Sequence, residues 1–169
     1  MKSEQWDDVL NSNLKVSVFE TRPQSKEYLW IQSNNYKYDV YKFPNSSTEQ
    51  DIPNREIDYF YKKFIPLINP DVIISIGWAD RTYQRLLLYG NIKKIPTVIV
   101  SDSIIKNETN KKRLFLKEWI KKIILKGYSS AFVAGIESKN YLIQLGFKKD
   151  KIFSPWDVID NNFFEKNCN

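Results

Sequence analysis

Pro70-Asp71-Val72-Ile73-Ile74-Ser75-Ile76-Gly77-Trp78-Ala79-Asp80-Arg81 is the stretch on which the fold turns. Proline and aspartate open it, β-branched residues fill it, and Gly77 stops the run. An apolar run without strict alternation predicts a strand buried on both faces. Asp80 stands where a helix N-cap belongs, so the chain is expected to leave the strand and turn at once into a helix. In parallel sheets such strand-to-helix corners are where ligands bind.

The same unit recurs downstream. After a helix through Tyr83, Leu86 and Leu87 that closes near Gly90, residues 96–101 form a second buried strand ending in Asp102-Ser103. A long basic helix is predicted over 111–126. Residues 131–134 form a short strand ending in Gly135, and a helix over 137–145 stops at Gly146 with Phe147 behind it, the pattern of a Schellman stop. Residues 151–153 make a last strand before Ser154-Pro155-Trp156-Asp157. Upstream, Ile57, Phe60, Tyr61, Phe64 and Ile65 fall at helical spacing and predict a helix over 54–68. Alternation over 14–19 and 38–43 predicts two more strands. Short helices are expected over 1–13 and 27–33, and a polar loop over 45–53. Strands alternating with helices give an α/β class, a Rossmann-like, mainly parallel sheet flanked by helices. Residues 1–164 read as one domain and 165–169 as a tail.

Composition narrows the chemistry. The 169 residues can bury a real core, and 42% hydrophobic with 15% aromatic content fits a globular chain. There is no histidine, which excludes histidine triads, histidine-liganded metals and a histidine base. The lone Cys168 forms no internal disulfide and makes thiolate metal sites a poor expectation. Met1-Lys2-Ser3-Glu4-Gln5 does not resemble a secretory leader and no apolar run reaches membrane-span length, so a cytoplasmic location is expected. The net charge of +6 permits an anionic partner, although a chain rich in Lys, Asn and Ile together can be basic for reasons of codon bias alone.

No G-x-G-x-x-G, G-x-x-x-x-G-K-[ST] or G-x-S-x-G occurs, so dinucleotide, P-loop and hydrolase fingerprints are missing. The corners remain: Gly77 and Trp78, Asp102 and Ser103, Gly135 and Ser138, Trp156 and Asp157. All follow strands, so a parallel sheet would line them along one edge. Asp80 is most simply a helix cap. Asp102 has no evident capping role and is a candidate for facing a ligand. The stretch from Gly135 to Ser138 opens a helix whose free N–H groups can receive an anion, or is ordinary turn chemistry. Trp78 and Trp156 can stack on a sugar or base, or serve the core. Projected at 100° per residue, the basic helix places Phe115, Leu116, Trp119, Ile120, Ile123 and Ile124 on a broad core face. Leu114, Lys117, Lys121, Leu125 and Tyr128 form an opposite, outward stripe. That stripe suits an anionic membrane surface or another domain; the plainer alternative is a solvated face with stray leucines.

The succession of Pro70 to Ile74 with Gly77-Trp78, Ile95-Pro96-Thr97-Val98-Ile99-Val100-Ser101-Asp102-Ser103 and the Lys- and Trp-bearing helix resembles the N-terminal half of a family 4-type glycosyltransferase of GT-B fold. Ser130-Ala131-Phe132-Val133-Ala134-Gly135-Ile136-Glu137-Ser138 through Leu145-Gly146-Phe147 resembles that family's strand, Gly-x-x-Ser, helix, Leu-Gly passage. Val158-Ile159-Asp160-Asn161-Asn162-Phe163-Phe164 resembles its exit toward a second domain. The likeness spans roughly residues 14–164. It implies one half of a GT-B architecture, lacking the first strand with its glycine-rich loop and lacking the nucleotide-sugar domain. The family's pair of glutamates eight positions apart is absent.

The resemblance therefore implies the acceptor-binding half of a glycosyltransferase, inactive alone. No catalytic residue is transferred and no cofactor is bound by this chain, the nucleotide-sugar donor being expected on a second domain or partner chain. The expected partners are a sugar-bearing acceptor, that second domain, and an anionic membrane on whose inner face the protein would sit peripherally. The alternative is a non-catalytic Rossmann-like module that binds a partner protein. Nucleic acid binding would rest on net charge alone, without a recognisable basic and aromatic module.

Overall fold

The computed structural model describes residues 14–20, 38–43, 52–104 and 111–155, with backbone alone over 111–116. The chain divides into two compact units, one of which is Ile57–Ile159. In the other, β1 (Ser17–Glu20) pairs in parallel with β2 (Asp39–Lys42), setting Val18 opposite Val40 and Phe19 opposite Tyr41. The Phe19 and Tyr41 rings stand 5.6 Å apart, and Lys42 pairs with Glu20 at 3.3 Å. β2 falls inside the stretch whose alternation predicted it, while β1 overlaps its own, starting at Ser17 and running one residue past it to Glu20. The helices expected over 1–13 and 27–33, most of the 45–53 loop, and Trp156, Asp157 and the tail lie outside the described residues.

The larger unit is built on four parallel strands, β3 (Ile73–Ile76), β4 (Thr97–Ser101), β5 (Ser130–Val133) and β6 (Ile152–Phe153), in the order β3-β4-β5-β6. Helix α1 (Asn54–Ile68) leads into β3, and α2 (Arg81–Lys93), α3 (Lys111–Leu125) and α4 (Ile136–Gln144) connect successive strands. A strand order that advances in one direction, joined by right-handed crossovers, puts every connecting helix on the same face of the sheet.

The burial pattern follows that rule. Ile73, Ser75, Thr97, Ile99, Ser101, Ala131, Val133 and Ile152 share one face and are buried. On the other face Ile74 and Ile76 remain 64% and 65% exposed, and Phe132 and Phe153 are exposed as well. The expected strand buried on both faces is thus corrected: β3 alternates, because composition says that a strand is apolar and strand order decides which face is covered. On the covered face Trp78, Leu87, Ile99, Leu125, Tyr128, Tyr141 and Leu142 belong to one core cluster. Each large apolar side chain so buried contributes about 2 kcal/mol.

Local chemistry explains where the helices begin and end. Asp80 caps α2, accepting from the Thr82 N–H at 2.7 Å and from the Thr82 hydroxyl at 2.6 Å. The helix runs past Gly90, where it was expected to close, and ends at Lys94 in the left-handed region at φ 58°. Gly90 is small for another reason: a Cβ there would stand 2.5 Å from Thr97 Oγ1, so glycine lets the helix lie close on β4. Helix α4 does end in the predicted Schellman motif. Gly146 sits at φ 92°, its N–H donating to Ile143 and the Phe147 N–H to Leu142, each at 2.9 Å. Between α1 and α2, Arg85 donates through Nε to Asp58 Oδ1 at 2.7 Å and through Nη2 to Asp58 Oδ2, and the Tyr61 hydroxyl donates to the Thr82 carbonyl at 3.2 Å.

Helix α3 faces the other way from its projection. Leu125 and Tyr128, expected outward, are 3% and 6% exposed within the core cluster, while Trp119, Ile120 and Ile123, expected inward, are exposed. Lys121 belongs to the inner side as well. Its amine donates to the Tyr141 hydroxyl at 2.7 Å and lies 5.3 Å from the Tyr141 ring and 6.0 Å from that of Trp78. A lysine can turn inward where its stem covers apolar surface and its charge meets a hydroxyl and two ring faces. Of the stripe expected outward, Lys121, Leu125 and Tyr128 thus turn inward, Lys117 is exposed, and Leu114 lies in the backbone-only segment.

Candidate functional site

Parallel pairing sets the strand ends side by side. Ile76 pairs with Val100 and Ser101 with Val133, so the corner after β3, the Ser101–Ser103 segment and the Ala134–Gly135 turn are neighbours along one edge. Two backbone bonds fix that alignment: Gly77 N–H to Val100 O at 2.9 Å and Ala134 N–H to Ser101 O at 3.2 Å. Gly77 stands at φ 83°, a conformation glycine adopts without strain, and this bends the chain from β3 into α2. Its carbonyl accepts from Ser75 Oγ at 3.3 Å and from the Tyr128 hydroxyl at 3.4 Å. Burial raises the Tyr128 phenol pKa, so this hydroxyl is a neutral donor.

The candidate residues divide by access. Trp78 is 8% exposed and belongs to the core, its carbonyl held by Gln84 Nε2 at 3.0 Å. The stacking role considered for it gives way to packing. Ser138 is likewise buried, 3% exposed. The open groups are Asp102, exposed just past β4, and the half-buried Ser103 and Gly135. Ser103 is oriented by its own N–H, which donates to Ser101 Oγ at 3.2 Å. Gly135 precedes α4 in extended backbone, and nothing lies within 4 Å of where its Cβ would be, so a ligand can approach the helix N-terminus closely. Among the described residues no side chain caps that end, so its first N–H groups can receive a ligand.

The edge therefore combines an exposed carboxylate, a hydroxyl, and the partial positive charge of a helix start. This suits hydrogen bonding to a polyhydroxylated ligand, with a phosphate or carboxylate near Gly135. Among the described residues no group of three Cys, Asp or Glu side chains is placed to hold a metal, and no helix is long and apolar enough to cross a membrane. Sequence reading missed the buried polar row of Ser75, Thr97 and Ser101 beneath these corners, and the inward Lys121. The polar positions of β3 and β4 were the visible signal for the row.

No family model matches the chain, and no curated protein does. Two similar solved structures are a chain assigned as a UDP-N-acetylglucosamine 2-epimerase from Listeria monocytogenes and a UDP-N-acetylglucosamine 2-epimerase from Rickettsia bellii. The first has 19% identity and a TM-score of 0.50 over 69% of this chain and 30% of that one. The second has 18% identity and a TM-score of 0.48 over 70% and 30%. The chain thus spans less than a third of either protein. The first likeness shows the fold, a GT-B-type α/β sheet flanked by helices. It does not extend to family 4 glycosyltransferases in particular.

Proposed function

We propose that this chain supplies the acceptor side of a sugar-transferring enzyme of GT-B type, with the nucleotide-sugar donor held by a second domain or chain. The observation that carries the reading is the alignment of Asp102, Ser103 and the open Gly135 turn along the C-terminal edge of a GT-B-type sheet. The similarity to a protein assigned to nucleotide-sugar epimerisation supports sugar chemistry as the setting. In a transfer reaction an acceptor hydroxyl attacks the anomeric carbon, the bond to the nucleotide phosphate oxygen breaks, and the hydroxyl proton is lost. Asp102 would accept a hydrogen bond from the acceptor and orient it, and the start of α4 would favour negative charge nearby.

The test is a thermal-shift and calorimetric screen of the full chain against simple methyl glycosides, UDP-glucose and UDP-N-acetylglucosamine. A glycoside should raise the melting temperature, and Asp102→Ala should weaken its binding roughly ten- to hundredfold, the loss of a hydrogen bond to a charged group. If none of the compounds shifts the melting temperature, the second reading takes its place: a non-catalytic module that binds a partner protein. The burial of Trp78 and Ser138, which leaves few open polar groups at the edge, favours that alternative.

A further inference from the structure

We propose that the chain docks on anionic bilayers through a basic, apolar-floored pocket at the opposite edge of the sheet from the corners. The pocket, of about 570 Å³, lies between the last turns of α3 and the connection from α4 to β6. It is thus found where β5 and β6 begin, away from Asp102 and Gly135. Trp119 and Ile123, 55% and 49% exposed, form its outer apolar wall. Lys122 and Lys126 from α3, and Lys148 and Lys151 from beyond α4, stand exposed around it.

Three observations point to an anionic lipid surface. First, every charged side chain that lines the pocket is a lysine; Asp150, on the same turn, is not among them. None of the four lysines has an ion-pair partner among the described residues.

Second, the lysines are not needed as hydrogen-bonding caps at the helix ends. The last carbonyls of α3 accept from the Gly127 and Tyr128 N–H groups, and those of α4 from Gly146 and Phe147. The ammonium groups are therefore not required for capping bonds and can meet a ligand.

Third, the exposed apolar groups are an indole and a branched aliphatic side chain beside lysines. An indole settles at the headgroup level while lysine stems lie along the apolar surface and carry their charge to phosphates. A nucleic acid would use the lysines and leave Ile123 unmatched. Leu125 and Tyr128 contribute to the floor of this pocket, whereas Lys117 and Lys121 do not line it, and the proposal does not depend on the acceptor reading.

Flotation of the full chain with vesicles of equal parts phosphatidylcholine and phosphatidylglycerol tests the proposal, with phosphatidylcholine vesicles as the neutral comparison. The chain should float with the anionic vesicles only, and less so as salt rises. Replacing all four lysines by glutamine (K122Q, K126Q, K148Q, K151Q) should reduce partitioning roughly hundredfold or more. Trp119→Ser should reduce it further, whereas K62Q with K139Q should leave it nearly unchanged. The four pocket lysines are exposed, and an unaltered circular dichroism spectrum checks that each variant is folded. Failure of the unmodified chain to float overturns the proposal. So does equal binding to neutral vesicles, equal loss in the K62Q and K139Q control, or binding to an RNA oligomer or acidic peptide without binding to anionic vesicles.

Discussion

Tyr61 and Tyr128 are buried phenols that hold the larger unit together in their neutral form. Burial is the main cause that raises the Tyr61 pKa well above its ordinary value; the neighbouring Tyr83 and Asp80 add to it, and the Thr82 side chain opposes it. Burial likewise raises Tyr128. A group whose folded pKa exceeds its unfolded value contributes stability fully below the unfolded pKa and loses it as pH rises toward the folded one. For tyrosine the unfolded value is about 10. These two residues therefore add no pH dependence between 7 and 9, by order of magnitude, and destabilise the fold above about 10. Tyr61→Phe should cost about 1 kcal/mol at neutral pH through its lost hydrogen bond and fall less steeply in alkali. Urea denaturation at a series of pH values, read beside tyrosinate absorbance, measures both effects.

At the level of the elements, α3 gives the sharpest contrast. Leu125→Ala should cost roughly 2–4 kcal/mol because it opens a cavity in the core cluster, while Ile123→Ala should cost less than about 1 kcal/mol. A larger loss at Ile123 than at Leu125 in a denaturation experiment would mean that the helix lies the other way round. Sequence could not settle this orientation, because Leu114, Phe115, Leu116, Trp119, Ile120, Ile123, Ile124 and Leu125 leave hardly any side of the helix without an apolar residue. What sequence did reveal was local. Asp80 caps α2 and Gly146 ends α4, since a cap needs only its own neighbours. Gly77 was legible as a corner for the same reason. The burial of Trp78 was not: it depends on Leu87, Tyr128 and Tyr141, which arrive from three later segments of the chain. The open state of Asp102 and Gly135 follows in the same way from what lies beside them in the sheet.

On the scale of the larger unit, the sheet carries its helices on one face and shows the other. The order β3-β4-β5-β6 accounts for this, and also for the two-face expectation that failed at Ile74 and Ile76. Among the described residues the same order makes β3 a terminal strand, and its consequence can be followed in time. Along β3 the Ile73 and Gly77 amides donate inward, to Pro96 and Val100. In a parallel ladder the intervening alternate amides, those of Ile74 and Ile76, point to the outer side. Deuterium should therefore enter β3 in a comb, fast at Ile74 and Ile76 and slow at Ile73 and Gly77, as resolved by nuclear magnetic resonance. Uniformly slow exchange would reveal that another strand has joined that edge, so the clock of a single strand reports whether the sheet goes on.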